Sequence, residues 1–249
     1  MSMNILEPIK HARQSNGNYS YREGFAIAPC AEQITFFDDF VHAVGTNVPT
    51  GWAAAIIDTG ATITQAAADG FEGGVLNIAS DGTTEGAACY LDKQVQLSGQ
   101  KFFMEVRFQT EDADDTDFQF GLTDLTATTN PEDLWTTASA DLIAFGILDG
   151  DATVTMLCDK DNSGSSAELG TIDISDATWH TLAFVVDGNS TAGNMSVLAY
   201  VDGKLALTWS TETTIPDDVI LAPFIGGRTG GDANHNVYVD YVRYGLIRG

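Results

Sequence analysis

The side chains with the most chemical potential in this sequence are carboxylates, and three stretches gather them. Residues 111–117 read Glu-Asp-Ala-Asp-Asp-Thr-Asp. Residues 159–164 read Asp-Lys-Asp-Asn-Ser-Gly and match the first half of a calcium loop, with oxygen ligands at Asp159, Asp161 and Ser163. Such a loop closes on a glutamate at about its twelfth position. Gly170 stands there, and the nearest acid is Glu168. Residues 232–236 offer oxygen at Asp232 and Asn234. Asp, Asn, Ser and Gly are also ordinary turn residues. Each stretch therefore reads first as a solvated loop or turn, and second as a calcium site. No other cofactor is indicated.

Other chemistry is thin. His11, His42, His180 and His235 are scattered, with no HExxH and no pair at metal spacing. No serine sits in G-x-S-x-G, and no glycine loop precedes a helix to cradle phosphate. Gly226-Gly227-Arg228-Thr229-Gly230-Gly231 reads as a flexible loop before a strand. Cys30, Cys89 and Cys158 form no CxxC or zinc spacing and read as free thiols, which suits a reducing compartment. Trp52, Trp135, Trp179 and Trp209 are candidates for stacking on sugar, Trp135 being the best placed for the surface.

The elements that must carry these groups are strands. Phe102, Met104, Val106 and Phe108 alternate with Phe103, Glu105, Arg107 and Gln109, a half-buried strand. Phe118, Phe120 and Leu122 repeat the pattern. Asp149-Gly150-Asp151 and Asp202-Gly203 read as hairpin turns, because Asp-Gly tolerates positive φ at both positions. The second turn pairs Tyr200 with Leu205, Leu198 with Leu207 and Ser196 with Trp209. The expected core face is then Leu198, Tyr200, Leu205, Leu207 and Trp209. The only helical signal is short, over residues 130–138, where Pro131, Glu132 and Asp133 suit a first turn.

The block 176–210 also carries a family likeness. Trp179-His180 opens a strand, a loop follows, and an apolar strand ends in Val201-Asp202-Gly203-Lys204. With Phe37-Asp38-Asp39-Phe40 followed by Gly51-Trp52, and Val239-Asp240-Tyr241-Val242 near the end, the chain resembles the concanavalin A-like lectin/glucanase superfamily, including its laminin-G-like members. The resemblance implies an all-β fold, a two-sheet antiparallel jelly-roll sandwich over residues 34–249, preceded by an extended N-terminal arm over residues 1–33. It says little of function, because the fold hosts lectins, hydrolases, adhesion modules and virion proteins. The glucanases of the superfamily use a Glu-x-Asp-x-Glu strand, which puts carboxylates on one face. This sequence has none, so no enzyme is expected.

Charge narrows the rest. The net charge is −24, which argues against nucleic acid and against anionic membrane surfaces. No run of roughly 18 apolar residues spans a bilayer, and the start has no apolar signal region. Residues 1–28 carry Lys10, Arg13 and Arg22 against Glu7 and Glu23, so a slightly basic arm precedes a strongly acidic body. The arm also holds Tyr19, Tyr21 and Phe25, and aromatics with Arg are the types that anchor interfaces. These features resemble a tailed-phage capsid decoration or cement protein. The arm would then dock on the major capsid protein or another virion protein, in many copies or as a homo-oligomer. Its place would be the capsid surface of a virion assembled in the host cytoplasm. The alternative is a lectin-like module that binds glycan, with calcium as a possible helper. A degenerate glycan hydrolase or lyase is a third reading.

Overall fold

In this computed structural model the described residues are 9–15, 18–24, 33–40, 48–49, 51–56, 60–66, 74–80, 86–92, 95–112, 116–126, 140–147, 153–161, 164–173, 177–188, 195–229 and 236–247. The inward phase expected at 101–110 is observed, but the strand is not half-buried, since Phe103 and Glu105 on its other face are buried as well. Strand β8 (Lys101–Thr110) buries Phe102, Met104, Val106 and Phe108 completely. Strand β9 (Thr116–Thr123) does the same with Phe118, Phe120 and Leu122. Consecutive in sequence, β8 and β9 lie in different sheets. The rings of Phe108 and Phe118 stack 4.3 Å apart between them.

The seven-stranded sheet runs in the order β12 (Ser165–Asp173), β11 (Thr153–Asp159), β10 (Leu142–Ile147), β9, β16 (Ala222–Thr229), β7 (Gly86–Tyr90) and β4 (Ala53–Ile56). The other sheet runs β15 (Lys204–Trp209), β14 (Ser196–Val201), β13 (His180–Asp187), β8, β17 (Asn236–Ile247), β6 (Val75–Ala79) and β5 (Thr62–Ala66), and β3 (Gln33–Asp38) joins it along β17. All pairings are antiparallel. One main core fills the space between the sheets. Phe120 and Phe145 of one sheet pack with Phe184 of the other, and Phe184 touches Phe102. The all-β two-sheet sandwich expected from the sequence is the fold observed. A short 3-10 turn, Glu212–Thr214, is the one helical element among the described residues; its Thr214 hydroxyl accepts the indole N–H of buried Trp209 at 3.0 Å.

Two expectations need correction. The turn at Asp202-Gly203 forms, with Asp202 at φ +47 and Gly203 at +74, and Tyr200 faces Leu205. A register shift between Ala199 and Tyr200 then pairs Ala199 with Leu207 and Val197 with Trp209. The core side of β14 is Val197, Ala199 and Val201, while Leu205 is 55% exposed. Both phases of Ser-Val-Leu-Ala-Tyr-Val are apolar, so alternation alone does not choose. Pairing with β13, which sets Phe184 opposite Ala199, does. Second, Gly226, Gly227 and Arg228 are not loop. They lie within β16, where Gly227 has Val237 and Ile78 side chains against its Cα and leaves little room for a Cβ.

The N-terminal arm contains a hairpin. Strands β1 (Ile9–Ser15) and β2 (Asn18–Gly24) pair as their own two-stranded sheet, with Ser15 opposite Asn18. The sequence reading saw the turn residues and not the strands. Lys10 and Arg13 stand on β1, and Tyr19, Tyr21 and Arg22 on β2. Phe25 lies outside the described residues.

Gly121 gives a direct test of this packing. A methyl there would run into the backbone of β10 at the Ile143 carbonyl and Ala144 Cα. Gly121→Ala is expected to lower stability by about 3 kcal/mol, the upper end for an overpacked site. Urea unfolding measures it, and an unchanged midpoint would contradict the β9–β10 register.

Candidate functional site

The phase that sends Phe118, Phe120 and Leu122 inward sends Asp117, Gln119, Gly121 and Thr123 to the outer face of the seven-stranded sheet. Registers then align whole rows across strands. Thr155, Gly146, Gln119, Gly226, Ala88 and Ala55 are successive partners on β11, β10, β9, β16, β7 and β4. The row beside it is Leu157, Ala144, Gly121, Phe224, Tyr90 and Ala53. Four of the six residues in the first row are glycine or alanine, so it forms a strip with little side-chain relief. Six strands at about 4.8 Å spacing make it about 24 Å long.

The walls are chemically distinct. On one side Tyr90 and Phe224 stack with ring centres 6.3 Å apart, within a second buried apolar cluster that includes Ala55, Ala88, Leu142, Ala144 and Leu157. On the other side Arg228 sends Nε and Nη2 to the same carboxylate oxygen of Asp117, at 2.9 and 2.6 Å. Asp117 is fully buried, and Arg228 is partly exposed. The strip is withdrawn from bulk water along its middle. Its end residue Thr155 is half-buried, and Ala53, at the β4 end of the neighbouring row, is exposed.

Gln119 is the only polar side chain in the middle of the strip. It is 1% exposed, and its Oε1 has no hydrogen-bond partner among the described atoms. Leaving a buried amide oxygen unpaired costs about 1–3 kcal/mol. Such an atom calls for a water or a ligand.

The sequence candidates fare differently. Asp159 ends β11 and is buried, and the backbone of Gly164 packs so close to its carboxylate that no Cβ fits. Asp161 is exposed at φ +54, and its N–H donates to Asp141 Oδ1 at 2.7 Å. This is the turn from β11 to β12. Ser163, Asp232 and Asn234, like Trp135 and residues 130–138, lie outside the described residues. Among the described residues, no three His, Cys, Asp or Glu side chains are grouped to hold a metal ion. The solvated reading of the 111–117 run is corrected at its Asp117 end. Glu111 accepts hydrogen bonds from Asn236 and Tyr238 at 2.8 Å each, and Asp117 is the buried partner of Arg228. Asp117 is thus withdrawn from water, while Glu111 links β8 to β17 and stays exposed. The sequence reading missed Gln119, Arg228, Tyr90 and Phe224 as a group. The signal was available for β9, as the complement of its phenylalanine alternation, but not for partners supplied by three other strands.

A second polar cluster lies on the outer face of the eight-stranded sheet. Glu105 accepts from Tyr241 and Arg243 at 2.7 Å each, and Arg107 binds Asp240 at 2.6 Å while lying 4.8 Å from the centre of the Trp179 ring. Burial, helped by the Glu105 charge, drives the Tyr241 phenol far above its usual range. Each acid of the cluster is paired with an arginine, and the cluster reads as a structural clamp.

With this geometry in hand, comparison becomes informative. No family model and no curated protein matches the chain. Solved structures do match. An endo-1,3-β-glucanase from Streptomyces sioyaensis superposes with TM-score 0.61 at 16% identity, covering 90% of this chain and 100% of that one. The fold is that of the concanavalin A-like lectins and glucanases. An endo-β-1,4-glucuronan lyase from Trichoderma reesei gives TM-score 0.59 at 13% identity, over 84% and 94% of the two chains. Lectin I-B4 from Griffonia simplicifolia gives 0.54 at 14%, over 86% and 99%. At these identities the likeness is one of fold. The concanavalin A-like jelly roll thus spans hydrolase, lyase and lectin, and the chemistry must be read from this chain's own residues.

The loops at one end of the sheet supply a pH test. Burial pushes the carboxyl of Asp141 above the ordinary aspartate value of 3.8; the Asp161 N–H opposes this, and the charges of Asp124, Asp161 and Asp218 add to it. A raised native value means that ionisation destabilises the fold. The penalty is absent below 3.8, grows through the window up to the raised value and is constant above it. Asp141→Asn keeps an acceptor for the Asp161 N–H. It is expected to melt at or above wild type near pH 7, with the gap closing as pH falls through that window. A variant destabilised equally at every pH would contradict the assignment.

Proposed function

We propose that this chain is a glycan-binding module without catalytic activity, and that the outer face of the seven-stranded sheet is its binding surface. The observation that carries the reading is the unpartnered, buried amide oxygen of Gln119 in a long strip of small residues, walled by stacked aromatics. Carbohydrate sites combine apolar and aromatic walls with a few placed polar groups. That the neighbouring folds are carbohydrate-active enzymes and lectins favours this reading over capsid decoration.

The non-catalytic part of this proposal is supported by the same two rows, among the described residues. Retaining glycoside cleavage needs two carboxyl groups about 5–5.5 Å apart. Neither the Thr155–Ala55 row nor the Leu157–Ala53 row carries a carboxylate, and Asp117 is held by Arg228. Asp124 and Asp141 are committed to loop structure, Asp124 accepting the Asp141 N–H at 3.0 Å and Asp141 accepting that of Asp161. A place on a virion remains compatible with glycan recognition, with the arm as anchor and the sandwich as reader.

The test is a glycan array with full-length protein and with a variant lacking residues 1–33, each with and without calcium. The expected result is saturable binding to at least one glycan by both forms, with no release of reducing ends from that glycan. Absence of binding by either form in all conditions would overturn the reading. Binding lost only on removal of the arm would move the site away from the sheet.

A further inference from the structure

Resting on the glycan-binding reading, we propose that the strip selects uncharged, hydroxyl-rich linear glycans over uronate chains, with Gln119 as the residue that reads a sugar hydroxyl. The neighbouring folds include proteins named for a neutral glucan and for a glucuronan, so the fold leaves this choice open. The charges along the strip decide it.

A uronate chain carries a carboxylate on every ring and needs cations to meet it. The Thr155–Ala55 and Leu157–Ala53 rows hold no Lys or Arg. Among the described residues the guanidinium beside them is that of Arg228, which has two of its donors on Asp117, whose buried carboxylate neutralises it. A second carboxylate brought there would meet the field of the first in a dry environment, where like charges repel strongly. At longer range the net charge of −24 slows the approach of any polyanion. A neutral chain pays none of these penalties.

The polar group that is free is matched to hydroxyls. An amide presents one acceptor and two donors, and the atom left without a partner is the acceptor, Gln119 Oε1. A ligand must therefore donate to it, which a sugar hydroxyl does and an ionised carboxylate does not. The amide nitrogen leans toward Gly146, so that a Cβ placed there would lie 3.7 Å from Nε2, 3.6 Å from Gln119 Cγ and 3.4 Å from Leu157 Cδ1. Those are ordinary contact distances. Alanine at 146 fits the fold while adding bulk to the floor of the strip.

The experiment is isothermal titration of laminarihexaose, cellohexaose and a glucuronate hexamer into wild type, Gln119→Leu and Gly146→Ala, with thermal melts of all three proteins. The expected result is saturable binding of a neutral hexamer and none of the glucuronate. Gln119→Leu should weaken the neutral ligand at least tenfold with a melting temperature equal to or above wild type, because it removes an unpaired buried amide. Gly146→Ala should weaken it too, at an unchanged melting temperature. Binding of the glucuronate in preference, falling with added salt, would overturn the selectivity and leave glycan binding standing. Full affinity in both variants would overturn the assignment of Gln119 and the strip. No binding of any hexamer by wild type, with an empty glycan array, would remove the glycan reading and this inference together.

Discussion

The stack of Phe108 on Phe118 is the contact on which the rest depends. These rings belong to consecutive strands that leave in opposite directions, one into each sheet. Holding them 4.3 Å apart sets the separation of the layers and the phase of both strands. Phase is all or nothing in a strand, since a slip of one residue exchanges the two faces. Once Phe118 and Phe120 point inward, Asp117, Gln119 and Gly121 have no choice but the outer face. The chemistry of the candidate site is thus the complement of the core.

The two outer faces treat polar groups in opposite ways. On the eight-stranded sheet Glu105, Arg243 and Tyr241 close on one another, so the buried charges are compensated. A pair of that kind is weak evidence for stability, but breaking it is expensive. On the seven-stranded sheet Asp117 and Arg228 are likewise compensated, while the amide two residues along from Asp117 is not. Rows without charge and the unpartnered Gln119 Oε1 favour recognition of hydroxyls.

Much of the fold was legible. The strands with strict alternation, β8 and β9, were placed from their residues, and the Asp202-Gly203 turn formed. What failed had a physical cause. The face of β14 was misassigned because both of its phases are apolar and a register shift intervened. Gly226 to Arg228 looked like loop because glycine is rare inside strands, yet Gly227 is pressed against Val237 and Ile78, where any larger residue crowds the core. Strands β4 and β5, rich in Ala and Thr, carried too weak a pattern. The site itself was not legible. Asp117 looks like a solvent-facing acid until Arg228 arrives from more than a hundred residues away. The strip of small residues exists only once six strands are laid side by side.

The most direct measurement follows the side-chain amide of Gln119 itself. Its nitrogen–proton resonances can be assigned by their loss in Gln119→Leu and followed during titration with a neutral hexasaccharide. The account predicts a saturable shift of those resonances, accompanied by backbone shifts on β9, β10 and β16. Resonances of Gln119 that stay fixed while amides elsewhere move to saturation would contradict it, and would place glycan recognition on another face of the molecule.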